Sequence, residues 1–173
     1  RLEHIRIQDG AVSAVTVCQN GQTYDLPARH VVLALGHSAR DTFEMLYQAG
    51  LAMVPKPFAM GVRIEHRQSA IDAAQYRSLA GHPALPPSTY KLSCHLPNGR
   101  SAFSFCVCPG GQVVAAASEP GRTVTNGMSV YARDGENING ALLVNVTPAD
   151  FPSDHPLAGI ALQRQLETAA YVL

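Results

Sequence analysis

The chain has 173 residues, 46% of them apolar, with thirteen basic side chains against thirteen acidic ones. That is room for one ordinary domain, or a domain and part of another, with enough apolar residues for a core. The balanced charge, without a Lys/Arg block, leaves no electrostatic footprint for nucleic acid or an anionic membrane, and no apolar run approaches the ~20 residues of a spanning helix. Four cysteines do not make a secreted disulfide framework at this size. The opening Arg1-Leu2-Glu3-His4 lacks the layout of a signal peptide, so a cytoplasmic location with reduced thiols is expected.

In chain order, the first thirty-five residues read as a β-meander. Leu2–Gln8 and Ala11–Cys18 are strand-like, followed by the short run Thr23–Leu26. The pairs Asp9-Gly10 and Asn20-Gly21 between them are strong hairpin signals, because both turn residues must take positive φ. His30–Leu35 is continuously apolar after its first residue and reads as a strand buried on both faces. Gly36-His37-Ser38 then opens a helix, with Ser38 and Asp41 resembling a capping box. Ala39, Phe43, Leu46 and Tyr47 share one helical face, and Gly50 is the expected stop.

From Lys56-Pro57 the character changes. Met60–His66 reads as a strand, Gln68–Leu79 as a weaker helix or irregular segment, and residues 81–88 as a Pro-rich loop. Tyr90–His95 and Ser101–Val107 form a strand pair around Asn98-Gly99. Gly110-Gly111 reads as a further turn before a strand at Gln112–Ala117. A polar loop is expected over Glu119–Asn139, then a strand at Ala141–Val146 and a helix from Leu157. Both ends look cut, since a strand starts at once and the last helix has no Gly, Asn or Pro stop. The chain is therefore read as an internal piece with three parts: 1–55, 56–149 and 150–173.

Three patterns carry chemistry. Gly36-His37-Ser38, where a strand meets a helix N-terminus, is a place where backbone N–H groups can meet a phosphate, although the spacing alone favours an ordinary βα turn. The full G-x-G-x-x-G dinucleotide fingerprint is absent. Cys94-His95 with Cys106 and Cys108 invites a zinc reading, but structural zinc sites space their cysteines two to four residues apart, so no metal is expected. Cys106 and Cys108 are instead expected to face opposite ways, one packed as a small hydrophobe and the other accessible as a redox thiol. Arg63 and Glu65 share a strand face, with His66 on the other, and read as a solvated ion pair. The Thr123–Ser129 loop is long enough to serve a function.

The strings VVLALGHSARDTFEML (31–46), KPFAMGVRIEH (56–66), FCVCPGGQVV (105–114) and TNGMSVYARDGENINGALLVNV (125–146) together resemble the predicted FAD-dependent dehydrogenases of bacteria, relatives of the glutathione-reductase-like flavoproteins. The resemblance covers nearly the whole chain. It implies an α+β fold: a β-rich inserted domain of a two-dinucleotide-binding-type flavoprotein (56–149), the β-meander and strand–helix piece of the FAD domain (1–55), and a return helix (150–173). It also implies FAD as the cofactor of the full-length parent oxidoreductase, with neither FAD binding nor activity in residues 1–173 alone. Ala34, Gly36, His37, Ser38, Asn126 and Gly127 fall on its cofactor side, and Cys106 and Cys108 are the catalytic candidates. The expected partners are a small-molecule substrate or electron donor or acceptor, and the rest of the same polypeptide. A non-catalytic domain that binds a ligand or partner is the alternative.

Overall fold

A computed structural model describes all residues, 1–173. Its contacts separate two compact units, Arg1–Pro55 with Pro152–Leu162, and Lys56–Phe151 with Gln163–Leu173. The first unit opens on an antiparallel meander of Leu2–Gln8 (β1), Ala11–Gln19 (β2) and Gln22–Pro27 (β3), in that order. Asp9, Gly10, Asn20 and Gly21 all have φ between 51° and 77°, the paired left-handed residues of tight hairpins. Thr16, buried in the central strand, donates to Asp25 at 2.6 Å.

His30–Leu35 corrects the sequence expectation, because it has no strand beside it and forms no ladder. Val32 is 90% exposed and Leu33 and Leu35 are exposed too. An apolar run becomes a buried strand only where neighbouring strands take up its backbone groups, and both sheets here are antiparallel ladders built from other segments. Arg40–Gln48 (α1) follows, with Leu46 buried and Gly50 at φ 81° beyond its end. The Ser38 cap does not form. Ala39 occupies the N-cap, and Asp41 accepts from the N–H of Thr42 instead.

The second unit is a five-stranded antiparallel sheet. Phe58–Arg67 (β4) pairs with Asn137–Val146 (β8), which pairs with the long strand Ser101–Ala115 (β6). Ser93–His95 (β5) joins the first part of β6, and Thr125–Ser129 (β7) joins its last part. Gln68–Tyr76 (α2) follows β4 directly, and Ala158–Val172 (α3) ends the chain. At the centre Ile138 and Asn139 are 0% exposed.

Two more expectations are corrected here. Gly110-Gly111 is not a turn, since β6 runs through it. The register slips twice, between Phe105 and Cys108 and between Cys108 and Gly111, each slip an extra residue absorbed as a bulge. Gly110 has φ 53°, and a Cβ there would overlap the backbone of Arg133. The loop expected over Glu119–Asn139 contains β7 and the start of β8. Thr125–Ser129 has too much Asn and Gly for strand propensity, and β6 recruits it by pairing alone.

Charged anchors fix the periphery of this unit. Glu119 is held by Arg122 at 2.7 Å and Arg164 at 2.7 Å, which ties the 119–123 segment to α3. Asp150 accepts from both terminal nitrogens of Arg100 and from the N–H of Thr147. The Arg100 guanidinium, then the Thr147 backbone, hold the Asp150 carboxyl well below the usual carboxylate range. Because the folded value is the lower one, the stabilisation is present above the unfolded carboxylate range, and it disappears as pH falls through that range toward the folded value. Between about pH 5 and pH 2 the urea midpoint should therefore fall more steeply for this chain than for Asp150→Asn. Parallel slopes would contradict the assignment.

Candidate functional site

Backbone register determines which side chains meet. Arg63 lies opposite Ala141 and Glu65 opposite Asn139 on the β4–β8 ladder, so these four share one face of the sheet. His66 faces the other way, edge-on to the Tyr90 ring at 5.9 Å. The Arg63 guanidinium does not pair with Glu65. Its Nη1 donates to Asn139 Oδ1 at 2.8 Å and to the Cys106 carbonyl at 3.2 Å. This links β4, β8 and the first bulge of β6. Gly127 of β7 lies directly over the pair, where a Cβ would overlap both Asn139 Oδ1 and Arg63 Nη1.

The polar groups of this cluster are only partly answered. Arg63 Nε and Asn139 Nδ2 are buried without a partner. Nη2 of Arg63 bonds no protein group and is open to solvent, and no carboxylate lies within ion-pair distance of the guanidinium. The guanidinium is therefore held by neutral acceptors alone, with its Nε buried and unanswered. Tyr90, on the opposite face, buries its hydroxyl against Gly140, whose Cβ would lie 2.8 Å away. Burial pushes the Tyr90 phenol up, and the charge of Arg63 opposes that shift.

Residues two apart in a regular strand share a face, and the bulge at Cys106–Val107 breaks that regular alternation between Cys106 and Cys108. Cys106 takes φ 45°, a left-handed conformation strained for any residue but glycine. Its side chain is exposed, while Cys108 is half-buried with its Sγ 3.3 Å from the Cys106 carbonyl. Neither thiol is packed away as expected. No three His, Cys, Asp or Glu side chains gather as a metal-ligand set. Alkylation followed by peptide mass mapping should modify Cys106 several-fold faster than Cys108, as exposure dictates. Equal rates would contradict this geometry.

Next to the Arg63 cluster opens a cleft of about 480 Å³, lined among others by Glu65, Gly110, Met128, Asp134 and Asn137. Its far wall is the 130–136 segment, which meets Gly110 through the Gly135 N–H at 3.2 Å. Asn126, next to Gly127, is exposed and accepts from the Gly127 N–H at 2.9 Å.

Ala34, Gly36, His37 and Ser38 belong to the first unit. Gly36 has φ 76° with nothing within 4 Å of a Cβ. The first donors of α1 are already engaged: the Arg40 N–H meets the Ser38 carbonyl at 2.9 Å, and the Thr42 and Phe43 N–H groups meet the Ala39 carbonyl. Asp41 adds a negative charge in that turn, which opposes the attraction of the helix N-terminus for an anion. Sequence reasoning missed Arg63 and Asn139 as a pair. The available signal was Asn139, the one polar side chain in the run Ile138–Val144.

The architecture and this cluster define a β-rich α+β domain with an unneutralised arginine at its centre. Residues 57–173 match the family described as FAD-dependent protein, C-terminal domain-like, and the chain belongs to that family. It is also similar, 48% identical over 174 residues and along its whole length, to an uncharacterized protein of Clostridium beijerinckii. The chain spans 32% of the length of that relative. No helix is long and apolar enough to cross a membrane.

Proposed function

We propose that the chain is part of an FAD-dependent oxidoreductase of the dehydrogenase type, in which the five-stranded unit is the substrate-side domain over the flavin. The observation that carries this reading is the match of residues 57–173 to the C-terminal domain of FAD-dependent proteins. FAD, when bound, supplies the hydride or electron transfer, and the protein orients it and keeps water out. The chemistry of the second unit is compatible with that role. Its central donors Arg63 Nε and Asn139 Nδ2 are buried without acceptors and Arg63 Nη2 faces solvent, and a flavin ring presents carbonyl and ring-nitrogen acceptors.

The first unit fits a different part of the same reading. Its exposed, unpaired run Val31–Leu35 has the composition of an inner parallel strand, which further strands of the same polypeptide would cover. The substrate and the electron donor or acceptor are small molecules on this reading, and the protein works in the cytoplasm. To test it, a longer protein containing this sequence and residues 1–173 alone are purified and their visible spectra compared. The longer protein should be yellow and the short one colourless, with no FAD uptake on titration. A longer protein that neither carries nor binds FAD would refute the proposal, and stoichiometric FAD on residues 1–173 would refute the division of labour.

A further inference from the structure

We infer that Arg63, held in place by Asn139, is a flavin-contacting residue that supplies positive charge to the acceptor edge of the isoalloxazine ring. The inference rests on the flavoprotein reading above. Its own basis is the state of Arg63 itself. One nitrogen, Nη1, is clamped by two neutral acceptors, Asn139 Oδ1 at 2.8 Å and the Cys106 carbonyl at 3.2 Å. The clamp orients the guanidinium without neutralising it. Glu65, two residues away on the same face, makes no ion pair with it. Of its remaining donor positions, Nε is buried without a partner, and Nη2 bonds no protein group and is open to a ligand.

An isolated charge of this kind is costly in a half-buried place. Three strands contribute to keeping it there, through Asn139, the strained Cys106 carbonyl and a glycine at 127 that only the absence of a side chain permits. Such an arrangement calls for a ligand that brings electron density to the charge. Within an FAD-dependent protein the ring acceptors meet that need, and more so in the reduced ring, which gains negative charge. Asn139 is the positioning residue, because its oxygen is spent on orienting Arg63.

The test uses the longer flavin-containing protein with Arg63→Gln, Arg63→Lys and Asn139→Asp, measuring flavin content, visible spectrum and the midpoint potential of the bound flavin. Arg63→Gln removes one charge-assisted interaction, so FAD should bind about ten- to a hundredfold more weakly. The midpoint potential should fall, because the reduced flavin loses its neighbouring cation. Arg63→Lys keeps the charge and should restore most of the binding with a shifted spectrum. Asn139→Asp, which places an anion on the guanidinium, should lower the potential with Arg63 still present. Should Arg63→Gln fail to fold, Arg63→Lys decides alone. Wild-type flavin content, spectrum and potential in a folded Arg63 variant would overturn the inference, leaving the unpartnered donors to buried water. A wild-type protein without flavin would instead defeat the functional reading itself.

Discussion

Gly110→Ala should unfold the second unit or destabilise it by about 3–5 kcal/mol. Two independent penalties meet at this residue. Its φ of 53° lies in the left-handed region, which a Cβ disfavours. The added methyl would also overlap the carbonyl, carbonyl carbon and Cα of Arg133, and backbone cannot move aside as a side-chain tip can. The Gly110 N–H is meanwhile fixed by the Gln68 side-chain oxygen at 2.9 Å, so the strand cannot shift without leaving a buried donor unmet. Urea or thermal unfolding of residues 1–173 gives the measurement. A loss below about 1 kcal/mol would show that the bulge relaxes freely, contrary to the packing described.

The second large effect is expected at Ile138, which is fully buried in β8 between β4 and β6. Truncation to Ala removes buried methyl groups and leaves a cavity that a sheet paired on both sides cannot close, at a cost of about 2–5 kcal/mol. Ile138→Val should cost about 0.5–1.5 kcal/mol. Leu142, on the same strand but 41% exposed, provides the contrast, and Leu142→Ala should cost clearly less than Ile138→Ala. If the two alanine variants melted alike, Ile138 would not be the centre of this core. Few side chains in the unit are as deeply buried, so one such loss is a large share of a typical stability.

Local chemistry was legible in the sequence wherever a single residue pair decides the backbone. Asp9-Gly10, Asn20-Gly21 and Gly50 were read correctly because their positive φ is written in the residue type. Where the outcome depends on distant partners, the reading failed. Val31–Leu35 has the composition of an inner strand, yet composition cannot supply the neighbours that make a strand. Gly110-Gly111 looked like a turn because the same left-handed freedom serves a bulge equally well. Thr125–Ser129 looked like a loop because Asn126 and Gly127 carry no strand propensity, and only its pairing with the preceding strand β6 makes it a strand. The Arg63–Asn139 contact is hidden from the sequence for the same reason. Alternation along β4 placed Arg63 and Glu65 together correctly, but Asn139 joins them only through the β4–β8 register, 76 residues away.

Gln68 links two ends of the cleft through one residue. Its backbone N–H is bonded to the Glu136 carbonyl at 2.9 Å, and its side-chain oxygen holds the Gly110 N–H. Its side-chain nitrogen also donates to Asp72 and to the Ser88 carbonyl. The end of the 130–136 segment and the second bulge of β6 are therefore moored to the same hub, at the very start of α2. A displacement that widens the cleft on one side pulls on the bond that shapes the other. Gln68 thus joins the two walls, and a molecule that displaced one would strain the hydrogen bond that holds the other.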